Sequence, residues 1–154
     1  MSRFGSLSVY REPASLRMLF LGFSSGLPLL LVLGTLSFWL RESGIDLKTI
    51  GFMSWVGLCW GLKWVWAPLV DRLRIPLLTR RLGRRRAWLL LSQIGLAAGL
   101  AAMAFCDPAR NLDTVIACAL VTAFFGATQD ISLDAFRIES GNEKEQAAFA
   151  AMYQ

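Results

Sequence analysis

Apolar residues run through this chain in long uninterrupted blocks, without the polar interruptions every second or every third to fourth position that mark half-buried strands and helices. Met18 to Leu40 contains no charged residue. At about 1.5 Å of rise per residue that block makes roughly 34 Å of helix, enough to cross a hydrocarbon layer of about 30 Å. Thr49 to Val70 is a second block with one charge, Lys63, and Ala87 to Cys106 is a third with none. A fourth block is uncharged from Thr114 to Gln129. Asp130, Asp134 and Arg137 then arrive at helical spacing before the polar stretch Glu139 to Gln146. Ala147 to Tyr153 reads as the opening of a fifth. The pattern predicts an all-α membrane protein with one membrane domain over residues 1–154. Four transmembrane helices are expected at about 18–40, 49–70, 87–106 and 112–136, with the start of a fifth near 147. Soluble core helices would each need a polar face, which the first and third blocks lack. The first block follows a polar stretch and has no small-residue cleavage site, so it reads as a permanent span.

Hydrophobic residues make up 55% of the chain and charged residues 18%. The net charge of +5 does not point to nucleic acid, because the basic residues sit between apolar blocks and not among exposed aromatics. Their placement orients the spans instead. Arg3, Arg11 and Arg17 precede the first span, and Arg72, Arg74, Arg80, Arg81, Arg84, Arg85 and Arg86 fill the loop 71–86. Basic loops stay inside, so this loop and both termini are expected on the cytoplasmic side. Cys59, Cys106 and Cys118 form no CxxC, and the chain has no histidine. That spacing supports neither a disulfide framework nor a metal site, and no cofactor is expected. Without histidine, carboxylates remain as the side chains able to carry protons. Gly22 and Gly26, Gly57 and Gly61, and Gly95 and Gly99 repeat a GxxxG spacing suited to close helix packing in lipid.

An ionised side chain at mid-membrane costs about 2.5 to 3.5 kcal/mol even on lenient insertion scales. Lys63 and Asp130 therefore need partners or water. Lys63 lies eight residues before Asp71, and Asp130 seven before Arg137, which puts both roughly 10 to 12 Å inside the cytoplasmic boundary. Equal depth and opposite sign predict an ion pair or a shared water-filled cavity. Asp130 and Asp134 are four apart, on one helix face, with Thr128 and Gln129 beside them. That face is expected to line a cavity. Asp134 and Arg137 read equally as a structural gate, with Asp71 and Arg72, and as a substrate site. Trp60, Trp64 and Trp66 are expected to anchor at the interface.

Four segments carry a family resemblance: GFSSGLPLLL (Gly22 to Leu31), LKWVWAPLVDR (Leu62 to Arg72), GRRRAWLLLSQ (Gly83 to Gln93) and ATQDISLDAFRIE (Ala127 to Glu139). Together they resemble the AmpG-type muropeptide permeases of the major facilitator superfamily. The resemblance implies a partial N-terminal half of such a transporter, built from three-helix repeats around a central cavity. It further implies a multi-pass protein of the bacterial inner membrane that imports anhydromuropeptides with protons. Asp130 and Asp134 match the family's acidic pair, candidates for proton coupling, with Arg137 beside them, and Lys63 and Gln129 join them on the proton or substrate path by the charge and spacing given above. Asp71 and Arg72 match the superfamily's loop motif, which latches the cytoplasmic gate, and Arg137 is read with them there. The expected partners are the lipid bilayer, protons, a muropeptide-like small molecule and the remainder of a split or truncated transporter.

Other functions stay open on the residues alone. A membrane transferase would use Asp130 and Asp134 to hold a magnesium diphosphate, but no second acidic cluster accompanies them. A small four-span exporter would carry an acidic residue in its first span, and Met18 to Leu40 has none. An inactive remnant would bind other membrane proteins through GxxxG faces.

Overall fold

The computed structural model describes residues 13–140 and 149–151, and every regular element among them is helical. Three stretches are long and apolar enough to cross a bilayer: Ser15–Glu42, Arg84–Ala104 and Leu112–Glu139. The first comprises α1 (Pro13–Leu30) and α2 (Leu36–Glu42), joined by a π-helical turn at Leu31–Thr35. A short loop leads to α3 (Leu47–Met53). Asp46 caps it by accepting from the Thr49 N–H at 3.1 Å and the Thr49 hydroxyl at 2.6 Å, and these bonds hold the Asp46 carboxyl below the usual carboxylate range.

The block expected as a second straight span, 49–70, is instead a string of short pieces. A 3₁₀ turn at Ser54–Gly57 follows α3, then α4 (Leu58–Gly61), a second 3₁₀ turn at Lys63–Val65, and α5 (Ala67–Arg72). Leu62 (φ −97°, ψ 4°) and Trp66 (φ −105°, ψ −2°) mark the breaks. Composition explains them. Gly51, Gly57 and Gly61 each weaken helix by about 1 kcal/mol relative to alanine, and Pro68 has no N–H for the Trp64 carbonyl. Among the described residues three helices, not four, therefore meet the length of a crossing. The start expected for a fifth falls mostly outside the described residues, of which 149–151 are helical. A short helix, α6 (Leu78–Leu82), precedes α7 (Arg84–Ala104), and α8 (Leu112–Ser140) closes the described chain apart from 149–151.

Half of the most apolar stretch of α8 is buried, against 28% and 22% in the other two long helices. Small residues let α8 take this central place. Val115, Ala119, Ala123 and Ala127, four apart, are all fully buried. A Cβ added at Gly95 of α7 would meet the Phe125 ring at 2.5 Å, and one at Gly99 would run into Thr122. On the other side, Gly126 sits against Trp60 and Pro28. The pairing of α7 with α8 thus uses Gly95 and Gly99 as the GxxxG spacing expects, whereas Gly26 and Gly61 have open space at the Cβ position. Leu36, Leu40, Met53, Val56, Met103 and Val115 form the apolar core toward one end of the bundle. Large side chains such as Phe20, Phe38, Trp55 and Trp64 stay 68–76% exposed around the outside, as a lipid-facing surface requires. The three cysteines are free.

Candidate functional site

Polar side chains gather where α8 passes α1 and the broken segment between α4 and α5. One turn beyond Gly126, where the close approach of Trp60 and Pro28 brings the helices together, α8 presents Asp130 and then Asp134. The break at Leu62 turns Lys63 onto them. Its ammonium lies 3.1 Å from Asp130 Oδ2 and 3.1 Å from Asp134 Oδ2. The other oxygen of Asp130 accepts from the Ser25 hydroxyl of α1. Asp130 is thus held from two elements, and Asp134 by Lys63. Side-chain exposure is 30% for Lys63, 20% for Asp130 and 35% for Asp134, so the cluster is open on one side.

Gln129 is 2% exposed, and its place follows from a proline. Pro28 inside α1 cannot donate to the carbonyl of Ser24, one turn earlier. Gln129 Nε2 supplies the missing donor at 3.2 Å. On the next face of α8, Thr128 donates to the Phe124 carbonyl at 2.7 Å and accepts from Trp66 Nε1 at 3.2 Å. Trp66 also packs on the Phe124 ring, with centroids 5.3 Å apart. Trp66 is therefore built into the helix contact, while Trp64 remains exposed.

A second charged cluster lies toward the end of α5. Arg85, at the start of α7, pairs with Asp71 of α5, and its Nε and Nη2 reach Glu139 Oε1 of α8 at 3.1 and 2.8 Å. One guanidinium ties three elements together, its fork suited to that geometry. Asp71, expected in a gate with Arg72 and Arg137, has Arg85 as its partner. Arg72 is exposed, and Arg137 is half-buried on α8.

The structure brings Lys63, Asp130 and Asp134 into one site, puts Gln129 beside it in a packing role, and separates Asp71 into another. Sequence reasoning missed Ser24, Ser25, Arg85 and Glu139. Two adjacent serines, four and three residues before a proline, were a readable sign of a polar contact in an apolar span. Nothing distinguishes Arg85 from its neighbouring arginines. Among the described residues no group of three or more histidine, cysteine or acidic side chains could hold a metal ion.

A family model described as acetyl-coenzyme A transporter 1 matches residues 16–112. The anhydromuropeptide permease of Escherichia coli (strain K12) is 45% identical over 146 residues, covering 95% of this chain and 29% of that protein. A putative transporter AmpG 4 of Rickettsia conorii is 34% identical over 143 residues, covering 93% of this chain and 34% of that protein. No solved structure matches. The chain spans about a third of the length of these curated relatives.

Proposed function

The chain belongs to the AmpG-type permease family of major facilitator transporters, and from that premise we propose that it forms the proton-coupling wall of an importer of anhydromuropeptides in the bacterial inner membrane. In this reading residues 1–154 are one membrane domain with both termini and the loop 71–86 cytoplasmic, and the compound segment 47–72 makes a fourth crossing. The remainder of the carrier supplies the opposite wall of the cavity.

The observation that carries the proposal is the seating of Lys63 between Asp130 and Asp134. Lys63 contributes +1 and the two carboxylates −1 each, so the fully ionised cluster holds −1 and becomes neutral on taking one proton. A net charge is expensive in a closed, poorly hydrated site and cheap in one open to water. Closing the cavity around the cluster therefore favours the singly protonated form, and reopening to the other side releases the proton. The two carboxylates share that proton across Lys63, and Ser25 and Lys63 together hold Asp130 in place. Arg85 with Asp71 and Glu139 acts as the latch that closes this end of the bundle. An ammonium between the two carboxylates favours this reading over a transferase holding a metal diphosphate there.

The test replaces the matching part of the Escherichia coli relative with Met18 to Glu139 of this chain, in cells lacking their own permease. Uptake of an anhydromuropeptide should follow the pH gradient, and Asp130→Asn should abolish that dependence. Gradient-driven uptake that persists unchanged in the variant would remove the cluster from the coupling mechanism.

A further inference from the structure

Helices α1 and α7 both pack on α8 but scarcely touch each other. The gap between them is a cleft of about 660 Å³ at the same end of the bundle as Arg85. Its walls are Phe20 and Leu21 of α1, Leu89 of α7, Phe136 of α8 and the buried Phe149 of the helical residues 149–151, and Arg17 and Arg86 line it as well. Both arginines are exposed, and among the described residues neither forms an ion pair. Arg17 only donates Nε–H to the Pro13 carbonyl at 3.1 Å. Arg85, which also reaches the cleft, is already committed to Asp71 and Glu139.

An apolar slot lined also by two unneutralised guanidinium groups matches one ligand chemistry: a monoanionic or dianionic head on an acyl chain. Basic pockets between transmembrane helices bind such headgroups at the cytoplasmic surface. Arginine suits the task because its planar fork meets phosphate oxygens two at a time. We infer that this cleft is a binding site for an anionic phospholipid, its phosphate on Arg17 and Arg86 and one acyl chain laid along Phe20, Leu21, Leu89 and Phe136. A packing helix would meet the apolar walls equally well but would leave both arginines without counter-charge. The inference rests on the proposed membrane orientation, with this end cytoplasmic, and is independent of the transport mechanism.

The test measures how much phosphatidylglycerol, against phosphatidylcholine, stays bound to the purified 154-residue chain by native mass spectrometry. Phosphatidylglycerol should be preferred. Arg17→Gln with Arg86→Gln should lower that preference roughly 30-fold, from the worth of a basic residue beside an anionic headgroup. Arg80→Gln with Arg81→Gln removes the same charge outside the cleft and should change it less than about threefold. If the cleft pair does not fold, Arg86→Gln alone, at roughly fivefold, carries the test. Equal losses for the two pairs would reduce the effect to surface charge and overturn the site. Displacement by glycerol 3-phosphate as effective as that by phosphatidylglycerol would show a headgroup site with no acyl component, against the proposal. Equal retention of the two lipids would also overturn it, leaving the cleft to a helix of a second copy or of another protein.

Discussion

Two cations in this protein sit between pairs of carboxylates, and the two settings differ in almost every other respect. Lys63 faces Asp130 and Asp134 of one helix, and all three side chains are one-fifth to one-third exposed. Arg85 faces Asp71 and Glu139 of different elements, and those carboxylates are 47% and 54% exposed while the guanidinium itself is 19% exposed. A lysine ammonium is a point charge on a flexible stem, and a proton arriving at either carboxylate can release it. A guanidinium keeps its charge and offers a rigid fork. The contrast separates a cluster able to exchange a proton from one that holds three helix ends together. It also explains why the first is sheltered between helices and the second lies near the end of the bundle.

The largest effect that would break this comparison comes from Lys63→Met. It leaves two carboxylates four residues apart on one helix without a counter-charge. Breaking a fully buried pair costs about 3 to 5 kcal/mol, and partial exposure lowers the expectation here to about 2 to 3 kcal/mol. Unfolding of the purified chain in micelles measures it. Adding Asp134→Asn should recover most of the loss. A cost no greater than that of an exposed surface pair, with no recovery, would mean that water already solvates the carboxylates.

Next in size is Gln129→Ala, which strips the donor from the Ser24 carbonyl that Pro28 leaves unsatisfied. A loss of about 1 to 2 kcal/mol is expected. In a Pro28→Ala background, where α1 recovers its own N–H donor, the same substitution should cost at most half as much. Equal costs in the two backgrounds would return Gln129 to the list of substrate-facing groups. The smallest effect belongs to Arg85→Lys, about 0.5 to 1 kcal/mol, because charge is kept and only the fork is lost. Arg85→Ala should cost more in the same assay, and equality of the two would show that fork geometry and not charge makes the latch.

Much of this arrangement was legible from residues alone. The opposite signs of Lys63 and Asp130 in apolar blocks pointed to their pairing, and the four-residue step added Asp134 on the same face of α8. The four-residue step depends only on helix geometry, which α8 keeps, whereas a count of helix rise from Asp71 to Lys63 assumed a helix that the break at Trp66 interrupts. The second block was less legible because hydropathy measures length and greasiness but not continuity. Its three glycines and Pro68 were visible signs of the breaks that turn Lys63 onto α8. Arg85 was not legible at all. Seven arginines lie between Arg72 and Arg86, and only the packing of α7 against α5 and α8 selects one. Gln129 was expected on the proton or substrate path, and its bond to the Ser24 carbonyl depended on Pro28, about a hundred residues earlier.

The central claim is that Lys63 and Asp130 act as one unit across helices, and a double-mutant cycle of Lys63→Met and Asp130→Asn measures that unit directly in the stability of the chain. A coupling of about 1 kcal/mol or more is predicted, with the double variant more stable than Lys63→Met alone. Strictly additive losses would contradict the account, because they would mean that the ammonium and the carboxylate do not sense each other.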